Sequence, residues 1–250
     1  GPSYFASKGT DSKLFDFAYC IVIFFVGVAI CLWKIYDIPP GIHGDETLTV
    51  KMARRLAGGE YLRVVLESPA YNGMTTLYYL AIGMLFKVLG VGTDIFTARL
   101  FSIAFGASTP VFVYLICKEI FNRRIAVMAS SLLTVFFMHI FYSTKALQWI
   151  HVPAVASMAY YSLVIAMKKG RPINYVITGL LIALSMCFYS AGKPVPFLAL
   201  AFFGILVILP EKRIAVISNW KNIFLLFAAT ALAFSPVIDF MLNHTKDYFQ

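Results

Sequence analysis

Apolar stretches without a charged side chain recur along this sequence, each near the length at which a helix crosses a bilayer. They run Phe17–Trp33, Leu100–Cys117, Ile125–Thr144, Ile150–Met167 and Ile173–Gly192, with shorter ones at Val195–Pro210 and Ile223–Ile238. A helix needs about 20 apolar residues to span the hydrocarbon core, and in lipid only helices and closed barrels satisfy their own backbones. The pattern predicts an all-α, polytopic membrane bundle of about seven transmembrane helices. Composition agrees, with 60% of the 250 residues apolar and 13% charged, whereas soluble domains carry roughly twice that share of charge. Phe17–Trp33 is too long and too late for a cleaved signal, and no small-residue cleavage site follows it. Residues 1–14 read as an N-terminal tail whose Gly1-Pro2 has the look of a tag-cleavage scar, and residues 15–250 as one membrane module.

The formal charge of +9 raises the question of a nucleic-acid partner, but its placement argues against one. Much of it sits in short clusters between the apolar runs: Lys118-Arg123-Arg124, Lys168-Lys169-Arg171 and Lys212-Arg213-Lys221. Only Phe121 and Trp220 fall among them, too few to form a stacking platform for bases. Short basic loops between spans are the usual mark of the cytosolic side. Cys20, Cys31, Cys117 and Cys187 are scattered singly through apolar runs and read as small buried hydrophobes.

Each basic cluster is separated from the next by two spans, so all face the cytosol. Lys8 and Lys13 join them if Met74–Leu89 does not cross. That segment would reach only about 24 Å as a helix, short of the roughly 30 Å core, and reads as re-entrant or interfacial. The alternative is a short, tilted eighth span, which would place the N-terminus outside. On the first reading residues 34–98 form one long outer loop, dense in charge of both signs. Within it Asp45–Ala57 reads as an amphipathic interfacial helix, capped by Gly44-Asp45, stopped by Gly58-Gly59, with Leu48, Met52 and Leu56 on one stripe.

His43-Gly44-Asp45-Glu46 is the most informative tetrapeptide. Adjacent carboxylates follow the Pro39-Pro40-Gly41 turn at the mouth of an apolar bundle, where one could serve as general base toward a hydroxyl; helix capping by Asp45 is the structural alternative. Lys193, in Tyr189-Ser190-Ala191-Gly192-Lys193-Pro194, interrupts a long apolar stretch on the same side. A fixed ammonium there suits a lipid phosphate as leaving group, or else snorkels to water. Lys145, Gln148 and His151 lie between the third and fourth spans, again outside, and Arg99 opens the second span. Asn243-His244-Thr245 fits the N-glycosylation pattern. No phosphate loop, HExxH, G-x-S-x-G or DxD pair is present, so neither a nucleotide-sugar fold nor its metal is indicated.

Taken in order, Gly41–Glu46, the helix ending Ala53-Arg54-Arg55-Leu56-Ala57-Gly58-Gly59, Leu77-Tyr78-Tyr79-Leu80, Arg99–Gly106, Tyr142-Ser143-Thr144-Lys145 and Tyr189–Lys193 resemble the protein O-mannosyltransferase and lipid A aminoarabinose transferase group of the GT-C superfamily. The resemblance runs from about residue 15 to 245. It implies an integral membrane enzyme that takes sugar from a polyprenyl-phosphate donor. Such enzymes transfer it with inversion, on the extracytoplasmic face, to a protein, glycan or lipid acceptor. It further implies Asp45 and Glu46 as catalytic residues, Lys193 and Arg99 at the donor phosphate, and His43, Tyr189, Gln148 and His151 as substrate contacts. The chain departs from the pattern in lacking a proline pair before Tyr78-Tyr79. It also lacks a second acidic residue in the second outer loop, where Gln148 and His151 stand, which leaves divalent-metal dependence open. Relatives are typically longer, so acceptor recognition is expected on a further part or a partner. The competing reading is a non-catalytic transporter or lipid-linked-sugar flippase, which would place charge within the spans rather than at their outer mouth.

Overall fold

The computed structural model describes residues 13–33, 35–37, 41–60, 75–89 and 94–243. The N-terminal tail through Ser12, the Pro39-Pro40 pair, the Ser68–Gly73 segment and the His244-Thr245 end of the glycosylation pattern lie outside the described residues. The regular elements among the described residues are helices: α1 (Lys13–Leu32), α2 (Gly44–Ala57), α3 (Leu77–Leu89), α4 (Ile95–Ile120), α5 (Arg123–Thr134), α6 (Phe137–Ser143), α7 (His151–Lys169), α8 (Pro172–Phe188), α9 (Val195–Ile208), α10 (Pro210–Ser218) and α11 (Trp220–Asn243). Large apolar side chains face outward all round the bundle, among them Phe17 and Phe25 on α1, Leu132 on α5, Phe197 on α9 and Leu232 on α11. Water would not tolerate so continuous an apolar surface, whereas lipid requires it.

By length and composition α1, α4, α7 with its preceding turn, α9 with its preceding turn, and α11 qualify as membrane crossings; α5 and α6 make a sixth if counted as one bent span. The remaining expected span, Ile173–Gly192, corresponds to α8, whose 17 residues reach about 25 Å. It lies between α7 and α11, with Tyr175, Ile182 and Leu226 in the shared core. Gly179 lets α8 approach α11 closely, since a Cβ there would meet the Leu226 carbonyl.

Ile125–Thr144, read from sequence as one span, is broken by 59° at Val135-Phe136. Two features account for the bend. Ser130 and Thr134 hydroxyls bond back to the carbonyls of Ala126 and Ser130, both at 2.8 Å, a pattern that bends helices. Then Pro110, inside α4, leaves the Gly106 carbonyl without its helical N–H partner, and His139 Nε2 of α6 donates to that oxygen at 3.1 Å. Gly106 also admits Ser143 against the α4 backbone. The short α6 is therefore turned to meet α4.

The bundle has two distinct ends. At one, Asp16 of α1 accepts from Tyr114 (2.5 Å), Arg123 (3.2 Å) and Lys118. Lys168 pairs with Glu119, and Asn222 bonds the Gly170 carbonyl at 3.1 Å. The basic clusters gather here, together with the start of α1. At the other end lie the α6–α7 loop, the α8–α9 turn and the α2–α3 pair. The chain on either side of α3 is held at that second end: Thr75 donates to the Cys187 carbonyl, and Arg99 bonds the Ile35 carbonyl at 3.1 Å. The start of α1 and the end of α4 thus lie at one end of the bundle, and α3, at 13 residues, packs on α2.

Candidate functional site

The second end is organised by α2. Its N-cap is His43, not the expected Gly44-Asp45: the imidazole Nδ1 accepts from the Asp45 N–H at 3.2 Å, and Glu46 Oε2 accepts from the His43 N–H at 3.1 Å. The helix ends as the glycine pair predicts, with Gly59 in the left-handed region at φ 86°. The buried face also differs from the expected stripe. Glu46, Thr49, Val50 and Ala53 are buried, while Leu48, Met52 and Leu56 are half-buried and Lys51, Arg54 and Arg55 exposed. Small residues win because α3 approaches at Gly83, where a Cβ would press on the Ala53 carbonyl.

Glu46 has 0% exposure and is saturated. Arg99 meets it in two parallel bonds, Nε to Oε1 at 2.9 Å and Nη2 to Oε2 at 3.0 Å. The Ala146 N–H adds a third at 2.8 Å to Oε1. The rest of the guanidinium bonds the carbonyls of Ile35 (3.1 Å) and Gly41 (3.3 Å). Burial pushes the Glu46 carboxyl up, but the Arg99 guanidinium and the Ala146 and His43 amides outweigh it and hold the group below its ordinary value. Two residues expected at the acceptor and at the donor phosphate are therefore each other's partners, and their atoms face inward.

Asp45 is placed differently. Its side chain is 39% exposed beside His43, whose Nδ1 lies 3.4 Å from Oδ2. Because that nitrogen accepts the Asp45 N–H, it carries no proton in this arrangement and the contact is not an ion pair. The His43 ring stands 6.5 Å from Trp149, which packs edge-on against Tyr142 at 5.4 Å. Gln148 is buried in the turn opening α7.

Lys193 and Tyr189 reach the same end because α7 and α8 run antiparallel and close at His151 and Phe188, 5.3 Å apart. The Ser190–Gly192 turn folds back on α8, and Gly192 is needed there since a Cβ would strike the Ser185 carbonyl. Lys193 is half-exposed, and Tyr189 packs on the core beside Phe188. His151 does not line the mouth. It has 0% exposure and is enclosed by Tyr78 (4.9 Å), Phe101 (5.1 Å), Phe105 (4.7 Å) and Phe188. Neither ring nitrogen has a hydrogen-bond partner among the described residues. Sequence reasoning did not single out Ala146 or Trp149, and gave Lys145 a place at this end but no role. Ala146 acts through its main chain and carries no side-chain signal. Among the described residues no three His, Cys, Asp or Glu side chains gather as metal ligands would.

Breaking one half of a buried ion pair costs about 3–5 kcal/mol, because the other charge is left stranded. Glu46→Gln and Arg99→Met should each lower the melting temperature in detergent, and the double variant should lose less than the sum. A carboxyl with a depressed folded pKa adds stability that is full above its ordinary range and lost as pH falls through the folded value. Parent stability should therefore drop on acidification below the ordinary 4.5, and Glu46→Gln should remove that part of the pH profile.

Residues 74–240 match the family described as dolichyl-phosphate-mannose-protein mannosyltransferase. The match takes in Arg99, Gln148, His151, Tyr189 and Lys193, and begins after His43, Asp45 and Glu46. No curated protein matches the chain. A helical bundle with an apolar exterior, and a family match over most of its length, give one conclusion: the chain belongs to the dolichyl-phosphate-mannose-protein mannosyltransferase family and is an integral membrane glycosyltransferase of the GT-C type.

Proposed function

We propose that the chain transfers a sugar from a polyprenyl-phosphate donor to an acceptor hydroxyl, with inversion, on the extracytoplasmic face. One observation carries the reading: the half-exposed Asp45 carboxylate is fixed beside a saturated Glu46, at the end of the bundle that also holds Lys193. Asp45 takes the acceptor proton as the acceptor oxygen attacks the anomeric carbon. The bond from that carbon to the phosphate oxygen breaks on the opposite face, and its electron pair leaves with the polyprenyl phosphate. Lys193 faces the growing negative charge on the phosphate, where a fixed cation lowers the barrier. Glu46 and Arg99 position Asp45 by fixing the first turn of α2 to α4 and to the α6–α7 loop. The acceptor is a protein, glycan or lipid hydroxyl.

A general base contributes about 10²–10⁴-fold, so Asp45→Asn should slow single-turnover transfer at saturating donor by about 3–5 kcal/mol in the barrier. Retention of the lipid donor should be unchanged, since a carboxylate attracts no phosphate. An Asp45→Asn protein as fast as the parent would leave Asp45 as a surface residue of the helix start.

The orientation rests on the gathering of basic clusters at the far end. In a cysteine-free background, Thr47→Cys should react with an impermeant thiol reagent on intact cells, and Lys169→Cys only after permeabilisation. The reverse pattern would turn the site toward the cytosol.

A further inference from the structure

We infer that Lys145 is a second cation of the site, holding the phosphate of the lipid-linked donor; this rests on the donor reading above. Lys145 is only 8% exposed. Its ammonium lies 5.4 Å from the centre of the Phe141 ring, and no described carboxylate forms an ion pair with it. The carboxylate bonded to the adjoining main chain, that of Glu46, accepts from the Ala146 N–H and is already matched by Arg99. A buried charge is retained at a cost unless something pairs with it, and ionisable groups at membrane depth mark functional sites. An aromatic face stabilises the cation in part but leaves its N–H donors unused. An anion entering from the lipid side would complete it.

The backbone under Lys145 is held on both sides. Ala146 N–H is bound to Glu46, Leu147 N–H donates to the Lys145 carbonyl at 2.8 Å, and the Thr144 hydroxyl donates to the Phe141 carbonyl at 3.0 Å. The ammonium is thus presented from a fixed loop at the same end as Asp45 and Lys193. A phosphate gripped there would set the anomeric carbon at a constant distance from the base. None of the tethers uses the Lys145 side chain, so its replacement leaves them in place.

The test uses the purified 250-residue chain in nanodiscs, with polyprenyl monophosphate lacking a sugar as probe and the uncharged polyprenol of the same length as control. The parent should retain the phosphate in preference to the alcohol. Lys145→Gln should lower retention of the phosphate by roughly tenfold or more, the worth of one charge-assisted hydrogen bond, with polyprenol unaffected. Lys145→Arg should keep most of it. In the unaltered protein, polyprenyl phosphate should also shield Lys145 from an amine-acylating reagent, a readout that requires no variant to fold. A Lys145→Gln protein that retains the phosphate like the parent, or equal acylation with and without lipid, overturns the assignment of Lys145 alone. A parent that does not prefer the phosphate over the alcohol overturns the donor reading, and this inference with it.

Discussion

The site end of this bundle depends on two opposite charges sealed away from solvent. Arg99 and Glu46 meet through paired bonds of 2.9 and 3.0 Å with essentially no exposure. Desolvation of such a pair is repaid only when every remaining donor and acceptor finds a partner. Here the carbonyls of Ile35 and Gly41 and the amides of His43 and Ala146 complete the set. One cluster of polar atoms therefore joins the exit of α1, the start of α2, the start of α4 and the α6–α7 loop. None of these segments is long enough to fix itself, and loops at a membrane surface are otherwise free to drift. The pair buries no substrate-facing atom, yet it decides where Asp45 stands.

The two ends solve the same problem with opposite chemistry. At the far end the Asp16 carboxylate gathers two cations, Lys118 and Arg123, and the Tyr114 hydroxyl. At the site end acid and base are matched one to one inside. Asp45, Lys145 and Lys193 lie at the same end and have the chemistry suited to handling a proton and a phosphate. Between the ends, packing is apolar and close, with small residues such as Gly106 and Gly179 setting the helix separations.

Much of the fold was legible because its causes are local. Apolar runs free of charge mark helices wherever they occur, and Gly58-Gly59 stops α2 by backbone geometry alone. Parity of the basic clusters put the start of α1 at the same end as Lys118, where Asp16 and Lys118 do meet. The break in the Ile125–Thr144 run was not legible: it depends on a carbonyl freed by Pro110 in another helix. The site was half legible. Asp45, Glu46, Arg99, Gln148, Tyr189 and Lys193 do lie toward one end, but sequence offers no sign that Glu46 and Arg99 face one another. His151 shows the same limit, because a histidine near a span end reads as a mouth residue until Phe105 and Phe188 are seen to enclose it.

The tethers of Glu46 also carry an order in time. Chains enter the membrane from the N-terminus as they are synthesised. Glu46 emerges 53 residues before Arg99 and 100 before Ala146. Until α4 is delivered, the carboxylate has no guanidinium and α2 can only rest at the lipid surface. Until the α6–α7 loop follows, one oxygen still lacks the Ala146 amide. This end is thus sealed only after the chain has turned through the membrane and back, so the start of α2, made before α4 and the α6–α7 loop, is locked only when both have arrived.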